Sequence, residues 1–342
     1  MAELVAAHIG FKQPDLEYIQ GFINDFPVSL AGSESDAAAW VEQYMGEQGQ
    51  PSSGICSVRG AFDTGAHVLH LTGLKLPGIL PDTPKVITGP EETSLGPWDI
   101  AHLAIATCVG VPYGCDHTRG GRIMHDVFPV AGAQDNTAYS HQGGFHFHVD
   151  GAMDPPNAPD YFLLQCLRNR EKVATFASTV EPGDFAPKVW KLLQNPAYTV
   201  QFRADHRPSD NDLREVPVVE TDAKGGLVRL TYYDDPGRLH PDVRLPKELQ
   251  TQHRGALQDL KAALERDAVD ITLNPGDILV VDNARTVHGR RSAVSPIGDM
   301  AMRRWLVRLW VATDPQKVAR VREAPRRVLA FADSSGYTTD PK

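Results

Sequence analysis

The densest run of side chains able to do chemistry is Phe145-His146-Phe147-His148-Val149-Asp150. Residues two apart in an extended chain share a face, so His146, His148 and Asp150 are predicted to project one way, with Phe145, Phe147 and Val149 entering a core. Burying two imidazoles beside a carboxylate costs several kcal/mol unless a cation or hydrogen bonds compensate. A divalent metal is the simplest compensation, although a solvated amphipathic edge strand explains the hexapeptide as well. A second cluster lies downstream, where a Pro275-Gly276 turn, an apolar run and an Asp282-Asn283 turn lead to His288. A lone surface histidine after a turn is the plainer reading of His288. Together, however, His148, Asp150 and His288 make two imidazoles and one carboxylate, the ingredients of a facial triad that leaves adjacent positions open on a non-haem Fe(II). The third cluster is Arg304 and Arg308. In a strand they share a face with Leu306, opposite Trp305, Val307 and Leu309, so both guanidinium groups could enter one cavity and seek bidentate carboxylates.

Such side chains need a rigid frame. Apolar spacing predicts helices over about 14–26 and 36–48, the second after the capping candidates Ser33 and Ser35, with further helices over 98–109 and 252–266. Residues 56–72 turn β-like, residues 76–90 read as a proline-broken connection, and 122–130 as an alternating strand before a polar segment over 132–144. Short strands are then expected at 145–150, 162–166, 174–179, 228–233, 270–273, 277–281 and 304–311. Many turn-separated strands with helices mostly in the first third predict one mainly β domain, a jelly roll with helical buttresses. Its parts are a helical support over about 1–55, a core over about 56–315 and a charged C-terminal tail over about 316–342, exposed or docked.

Composition narrows the function classes. The 342 residues are 42% hydrophobic and 23% charged, values of a folded globular chain. With 34 basic against 43 acidic residues the net charge is −9, so no overall basic field draws in nucleic acid or an anionic membrane. No window reaches the 18 or so continuous apolar residues of a membrane span. The N-terminus lacks the basic stretch of a secretory signal, and Cys56, Cys108, Cys115 and Cys166 form no CxxC pair, so a reduced, cytoplasmic setting is expected.

With these residues in place, the chain resembles the Fe(II)/2-oxoglutarate dioxygenases, in particular the clavaminate synthase-like branch that includes amino-acid hydroxylases. Three motifs carry the resemblance: His148-Val149-Asp150, the distal His288 within Val281-Asp-Asn-Ala-Arg-Thr-Val-His288-Gly-Arg290, and the Arg304/Arg308 pair. Residues 120–129, 159–168 and 173–178 extend it, so it covers about residues 120–310. The resemblance implies a double-stranded β-helix, with Fe(II) held by His148, Asp150 and His288. Arg304 would pair with the distal carboxylate of the co-substrate 2-oxoglutarate, supported by Thr175. Arg308 would face a substrate α-carboxylate. It implies oxidative decarboxylation with O2 to succinate and CO2, coupled to C–H hydroxylation. Halogenation is disfavoured because Asp150 stands where a small residue would be needed. Two departures stand out. Arg304 follows His288 by 16 positions, longer than the family spacing, with Arg303 as the alternative and the extra length expected in the 295–299 turn. His117 stands where the branch often places a glutamine that meets the substrate amine.

Asp234 and Asp235, after Tyr232-Tyr233, are candidates to hold a distal ammonium or guanidinium, which points to a free basic or polar L-amino acid. A solvated Asp-Asp-Pro-Gly turn explains the same residues, and an amino acid tethered to a carrier protein is a second substrate format. Rival classes are a zinc metallohydrolase of the HxHxDH kind, which finds Gly151 at its last place, and a non-redox cupin-type binding protein using His146 with His148. A non-catalytic β-sandwich is the third. His141, His146, His240 and His253 are otherwise read as surface or supporting residues, and Trp98, Trp190, Trp305 and Trp310 as core.

Overall fold

The structure is a computed structural model that describes residues 4–49, 57–76, 78–87, 94–133, 137–201, 213–235, 237–294, 298–299 and 303–331. In chain order the first part contains β1 (Ala6–Gly10), α1 (Gln13–Asp25), α2 (Glu34–Gln48), α3 (Ser57–Asp63), β2 (Val68–Thr72), α4 (Pro97–Val109), β3 (Val111–Cys115) and β4 (Met124–Val127). The middle contains β5 (Phe145–His148), β6 (Tyr161–Arg168), β7 (Thr175–Ser178), α5 (Pro187–Leu193), β8 (Tyr198–Gln201), β9 (Leu213–Val216), β10 (Val219–Thr221), β11 (Leu227–Leu230) and β12 (Leu239–Pro241). The remainder is α6 (Lys247–Arg266), β13 (Val269–Ile271), β14 (Ile278–Asp282), β15 (Val287–Arg290), β16 (Trp305–Ala312), α7 (Pro315–Glu323) and β17 (Val328–Leu329).

Two sheets face each other. The larger runs β1-β2-β14-β6-β16-β3-β17, with β4 also on β16, and the smaller runs β13-β7-β15-β5. This is the expected jelly roll, built as two facing ladders and not as a closed barrel among the described residues. Side-chain parity explains how one sheet serves two layers. On β6, β14 and β16, Leu163, Ile278, Val280, Val307 and Leu309 pack outward against helices α1 to α4. Their neighbours Phe162, Leu164, Leu279, Val281 and Leu306 face inward, where they meet Ala177 and Ile271 of the smaller sheet. A third cluster covers the far side of the smaller sheet, where Phe147 and Phe176 pack with α6 residues such as Leu260 and Leu264.

Helix α2 begins where expected: the Ser33 hydroxyl accepts from the Asp36 N–H at 3.3 Å. The Pro275-Gly276 turn holds Gly276 at φ +91°, and a Cβ there would lie 2.0 Å from the Leu74 carbonyl oxygen, so only glycine lets β14 enter the sheet this way.

Several expectations are corrected. Ser57–Asp63 is helical, not β-like, because Val58 and Phe62, four apart, form one face buried against α4. Strands β1 and β3 carry weak alternation and are fixed by sheet pairing instead. The described part of the C-terminal segment, left open as exposed or docked, is docked: α7 packs on β16 and β17 pairs with β3 in parallel. Residues 332–342 of that segment, residues 77 and 88–90 of the proline-rich connection, residues 134–136 of the polar segment, Cys56, and residues 295–297 of the turn before Arg304 lie outside the described residues.

Candidate active site

The site lies between the two sheets, and strand pairing builds it. β15 pairs with both β5 and β7, placing His288 opposite His148. The imidazole centroids are 4.1 Å apart. Asp150 follows two residues after His148, and its Oδ1 lies 3.6 Å from His148 Nε2 and 3.8 Å from His288 Nε2. One donor atom from each of the three residues lies within 4.8 Å of the others, and all three residues are buried.

The chain orients these donors with long-range hydrogen bonds. His148 Nδ1–H donates to the His146 carbonyl at 2.9 Å, leaving the Nε2 lone pair turned to the cluster. The Asn283 side chain clamps the backbone around Asp150, accepting from Asp150 N–H at 3.0 Å while its amide donates to the Asp150 and Pro159 carbonyls at 2.9 Å each. Burial would raise the Asp150 carboxyl, but the Arg308 guanidinium, with His148 and His288, holds it far below the ordinary carboxylate range. Burial and the neighbouring His148 hold His288 well below its ordinary value, so it is a neutral imidazole at pH 7.

β16 supplies the charges. Arg308 Nη1 donates to both Asp150 oxygens at 3.0 and 2.9 Å, and its Nη2 donates to His125 Nδ1 at 2.8 Å. His125 Nε2–H in turn donates to the Arg122 carbonyl at 2.8 Å. Trp310 Nε1–H donates to Asp150 Oδ2 at 2.9 Å. Arg304, four residues before Arg308 and immediately ahead of β16, is 4% exposed and has no hydrogen bond or ion pair among the described residues. Burial, then the neighbouring Arg290, lowers its pKa to about 10, so it stays a cation at neutral pH.

Two cavities flank the cluster. The inner one, about 50 Å³, is lined by Arg304, Thr175, Arg290, His288, Leu164 and Leu306 among others. The outer one, about 100 Å³, is bordered by His117, Arg119, Tyr139, Tyr233, Arg238 and Trp310. His148, Phe145 and Arg308 border both.

The description "Taurine catabolism dioxygenase TauD, TfdA family" matches residues 100–310, which hold every side chain of the buried cluster and both Arg304 and Arg308. The chain belongs to the TauD/TfdA dioxygenase family. It is a non-haem iron, 2-oxoglutarate-dependent dioxygenase. Among similar proteins, enduracididine beta-hydroxylase of Streptomyces hygroscopicus is 30% identical over 243 residues, 66% of this chain and 70% of that protein. L-asparagine oxygenase of Streptomyces coelicolor is 29% identical over 257 residues, 74% of this chain and 73% of that protein. The crystal structure of an asparagine oxygenase with Fe(II), 2S,3S-3-hydroxyasparagine and succinate matches with a TM-score of 0.77 at 23% identity, covering 94% of this chain and 99% of that one. The non-heme iron oxygenase OrfP with Fe, succinate and (3S)-hydroxy-L-Arg matches at 0.77 and 18% identity over the same shares. At these identities the structural likeness is one of fold.

The TauD/TfdA residues of this chain fit the groups the family uses. Two imidazole nitrogens and a carboxylate, buried and converging with no fourth protein donor in the cluster among the described residues, suit a divalent iron with open positions. An uncompensated buried guanidinium beside them, in a cavity that Thr175 shares, suits a carboxylate of 2-oxoglutarate.

Of the residues expected from sequence, His148, Asp150 and His288 meet, Arg304 and Thr175 share the inner cavity, Arg308 lies between the cavities, and His117 borders the outer one. Arg303 points elsewhere, donating to the Pro84 carbonyl, so Arg304 is the inward arginine. Asp234 and Asp235 border neither cavity, a departure from expectation. Tyr233 forms a bridge with His148 and turns its ring inward, which sends Asp234 the other way into an ion pair with Lys261 of α6 at 2.8 Å. Asp235 Oδ1 accepts from Gly237 N–H in its own turn.

Strict alternation also fails on β5. The register shifts between His288 and Arg290, where Arg290 pairs with Phe145. This bulge brings Phe145 to the cavity side, its ring 4.0 Å from that of His148, and leaves His146 exposed. Gly289 permits it, since a Cβ there would lie 2.5 Å from the Phe145 carbonyl oxygen. His146, needed by the zinc-hydrolase and cupin alternatives, is turned away from the cluster. Sequence reasoning missed Trp310, whose place two residues after Arg308 was a readable parity signal, and Asn283, flagged only as a motif flank. It also missed His125, Arg119, Tyr139 and Arg238, which no periodicity marks.

Proposed function

We propose that this dioxygenase hydroxylates an unactivated C–H bond of a free L-amino acid, with 2-oxoglutarate converted to succinate and CO2, and that His148, Asp150 and His288 hold the iron. Iron with 2-oxoglutarate and O2 supplies the oxidising power. The rest is positioning by this chain's own side chains. His288 as a neutral imidazole and Asp150 as a carboxylate present a lone pair and a negative charge, and His148, held through Nδ1 by the His146 carbonyl, turns Nε2 to the same point. Arg304, with Thr175, anchors the distal carboxylate of 2-oxoglutarate, and Leu164 and Leu306 keep water from that end. Arg308 bridges the two cavities, where it steadies Asp150 and meets the substrate α-carboxylate. The observation that carries the reading is the buried, unpaired Arg304 guanidinium beside the three converging donors. The amino-acid class rests on the relatives named above, a β-hydroxylase and an oxygenase of amino acids.

The test is Fe(II)-dependent succinate release from 2-oxoglutarate under a panel of L-amino acids. Release stimulated by at least one of them and abolished in His148→Ala is expected. Zinc-dependent hydrolysis without oxygen consumption would overturn the reading. Stimulation only by an amino acid tethered to a carrier protein would replace the free substrate by the carrier-bound one.

A further inference from the structure

The outer cavity has an unbalanced charge. Three guanidinium groups border it, those of Arg119, Arg238 and Arg308, against one bordering carboxylate, Asp150, whose oxygens are already taken by Arg308 and Trp310. Arg238 stacks over the Tyr233 ring at 3.8 Å, and its Nε is buried without a hydrogen-bond partner. No carboxylate pairs with it among the described residues. The acidic side chains in its own segment are turned away, Asp234 toward Lys261 and Asp235 toward Gly237 N–H. Arg119 stacks over the Tyr139 ring at 3.9 Å and is held at φ +55°, a backbone conformation that non-glycine residues rarely keep outside constrained sites. The Arg238 guanidinium is thus seated on an aromatic floor at the edge of the cavity.

An amino-acid α-carboxylate answers Arg308. A neutral side chain would leave Arg238 uncompensated in a half-buried setting, and a cationic one would add like-charge repulsion at close range. A second carboxylate matches the fork in charge and shape. We therefore propose that the substrate is an acidic, dicarboxylic L-amino acid whose side-chain carboxylate is read by Arg238. This rests on the reading of the site as that of an amino-acid oxygenase. It assigns Arg238 as the residue that determines specificity.

The experiment separates the two claims. Calorimetric titration of L-glutamate, L-aspartate, L-glutamine, L-arginine and L-ornithine into the full chain measures binding without turnover. Conversion of 2-oxoglutarate to succinate without any amino acid tests the co-substrate reading by itself. The acidic amino acids are expected to bind about tenfold or more tighter than glutamine, and tighter still than arginine. Arg238→Glu is expected to weaken L-glutamate binding by roughly 30-fold or more and to improve binding of L-ornithine. Arg238→Gln, which keeps size and polarity, should show the loss without the gain. Equal or tighter binding of L-arginine by the unaltered protein overturns the proposal, as does unchanged selectivity in both variants. If 2-oxoglutarate is never consumed, the oxygenase reading fails instead, whatever the titrations show.

Discussion

The two cavities on either side of His148, Asp150 and His288 are built by different rules. The inner one is walled by strands: Arg304 and Leu306 near β16, Thr175 on β7, Arg290 on β15 and Leu164 on β6. The outer one draws on segments between strands, including His117, Arg119, Tyr139 and Arg238. Both contain arginines, but with different support. Arg304 lies between strands, whereas Arg119 and Arg238 are placed over tyrosine rings. A ladder fixes side-chain direction by hydrogen-bond register, so the inner wall suits an invariant dicarboxylate co-substrate. Loops leave direction to local contacts, so the outer wall is where substrate choice can vary on a constant frame.

This contrast can be broken outright. His148→Ala should abolish succinate release with any amino acid, since both cavities depend on the same three donors; retained turnover would separate the chemistry from the cluster. Next in size, Arg304→Ala should raise the KM for 2-oxoglutarate by about 30-fold or more, the cost of losing a buried charge-assisted contact, while changing amino-acid affinity little. Steady-state kinetics with each ligand varied would show whether the two walls are separable. Asn283→Ala should lower kcat by about 10- to 100-fold, because it frees the backbone that carries Asp150 without touching either cavity. Trp310→Phe removes one of several hydrogen bonds to Asp150 and should cost less, about 0.5–1 kcal/mol in transition-state stabilisation, roughly a two- to fivefold loss of kcat/KM.

The last prediction asks whether burial alone marks a site. His102 on α4 is as buried as Arg304, and neither ring nitrogen has a hydrogen-bond partner, yet it borders neither cavity. Burial lowers its pKa from 6.5 to about 3. The unfolded chain therefore takes up this proton first as pH falls. The neutral imidazole's contribution is complete above about pH 6.5 and is lost toward pH 3, with a slope of at most about 1.4 kcal/mol per pH unit. His102→Leu should stabilise the fold by about 1–3 kcal/mol and flatten the acid limb of urea-melt stability against pH, with no change in either KM. A loss of activity in that variant would mean that the helix layer and the site are coupled.

Much of the inner wall was legible because period-two alternation is a local rule. His148 and Asp150 are two apart, Arg304 and Arg308 are four apart, and Trp305 and Val307 between the arginines face the helices while Leu306 faces inward, as alternation requires. The same rule misplaced Phe145 and His146, since a bulge in β5 depends on its partner strand and on Gly289. Asp234 and Asp235 looked like a cation site because their chemistry suited one. Their direction is set by the bridge between Tyr233 and His148 and by Lys261 on a helix 27 positions away.

The sequence by itself determined the donors, their order and the alternating strands that aim them, because strand parity and residue chemistry need no knowledge of the rest of the chain. Only the tertiary structure decided that His288 sits opposite His148, that Asn283 reaches back across 133 positions to hold Asp150, and that Asp234 and Asp235 turn away from the outer cavity while Arg238 borders it. Those outcomes depend on register, bulges and loop packing, which arise from contacts between distant segments and leave no period in the sequence.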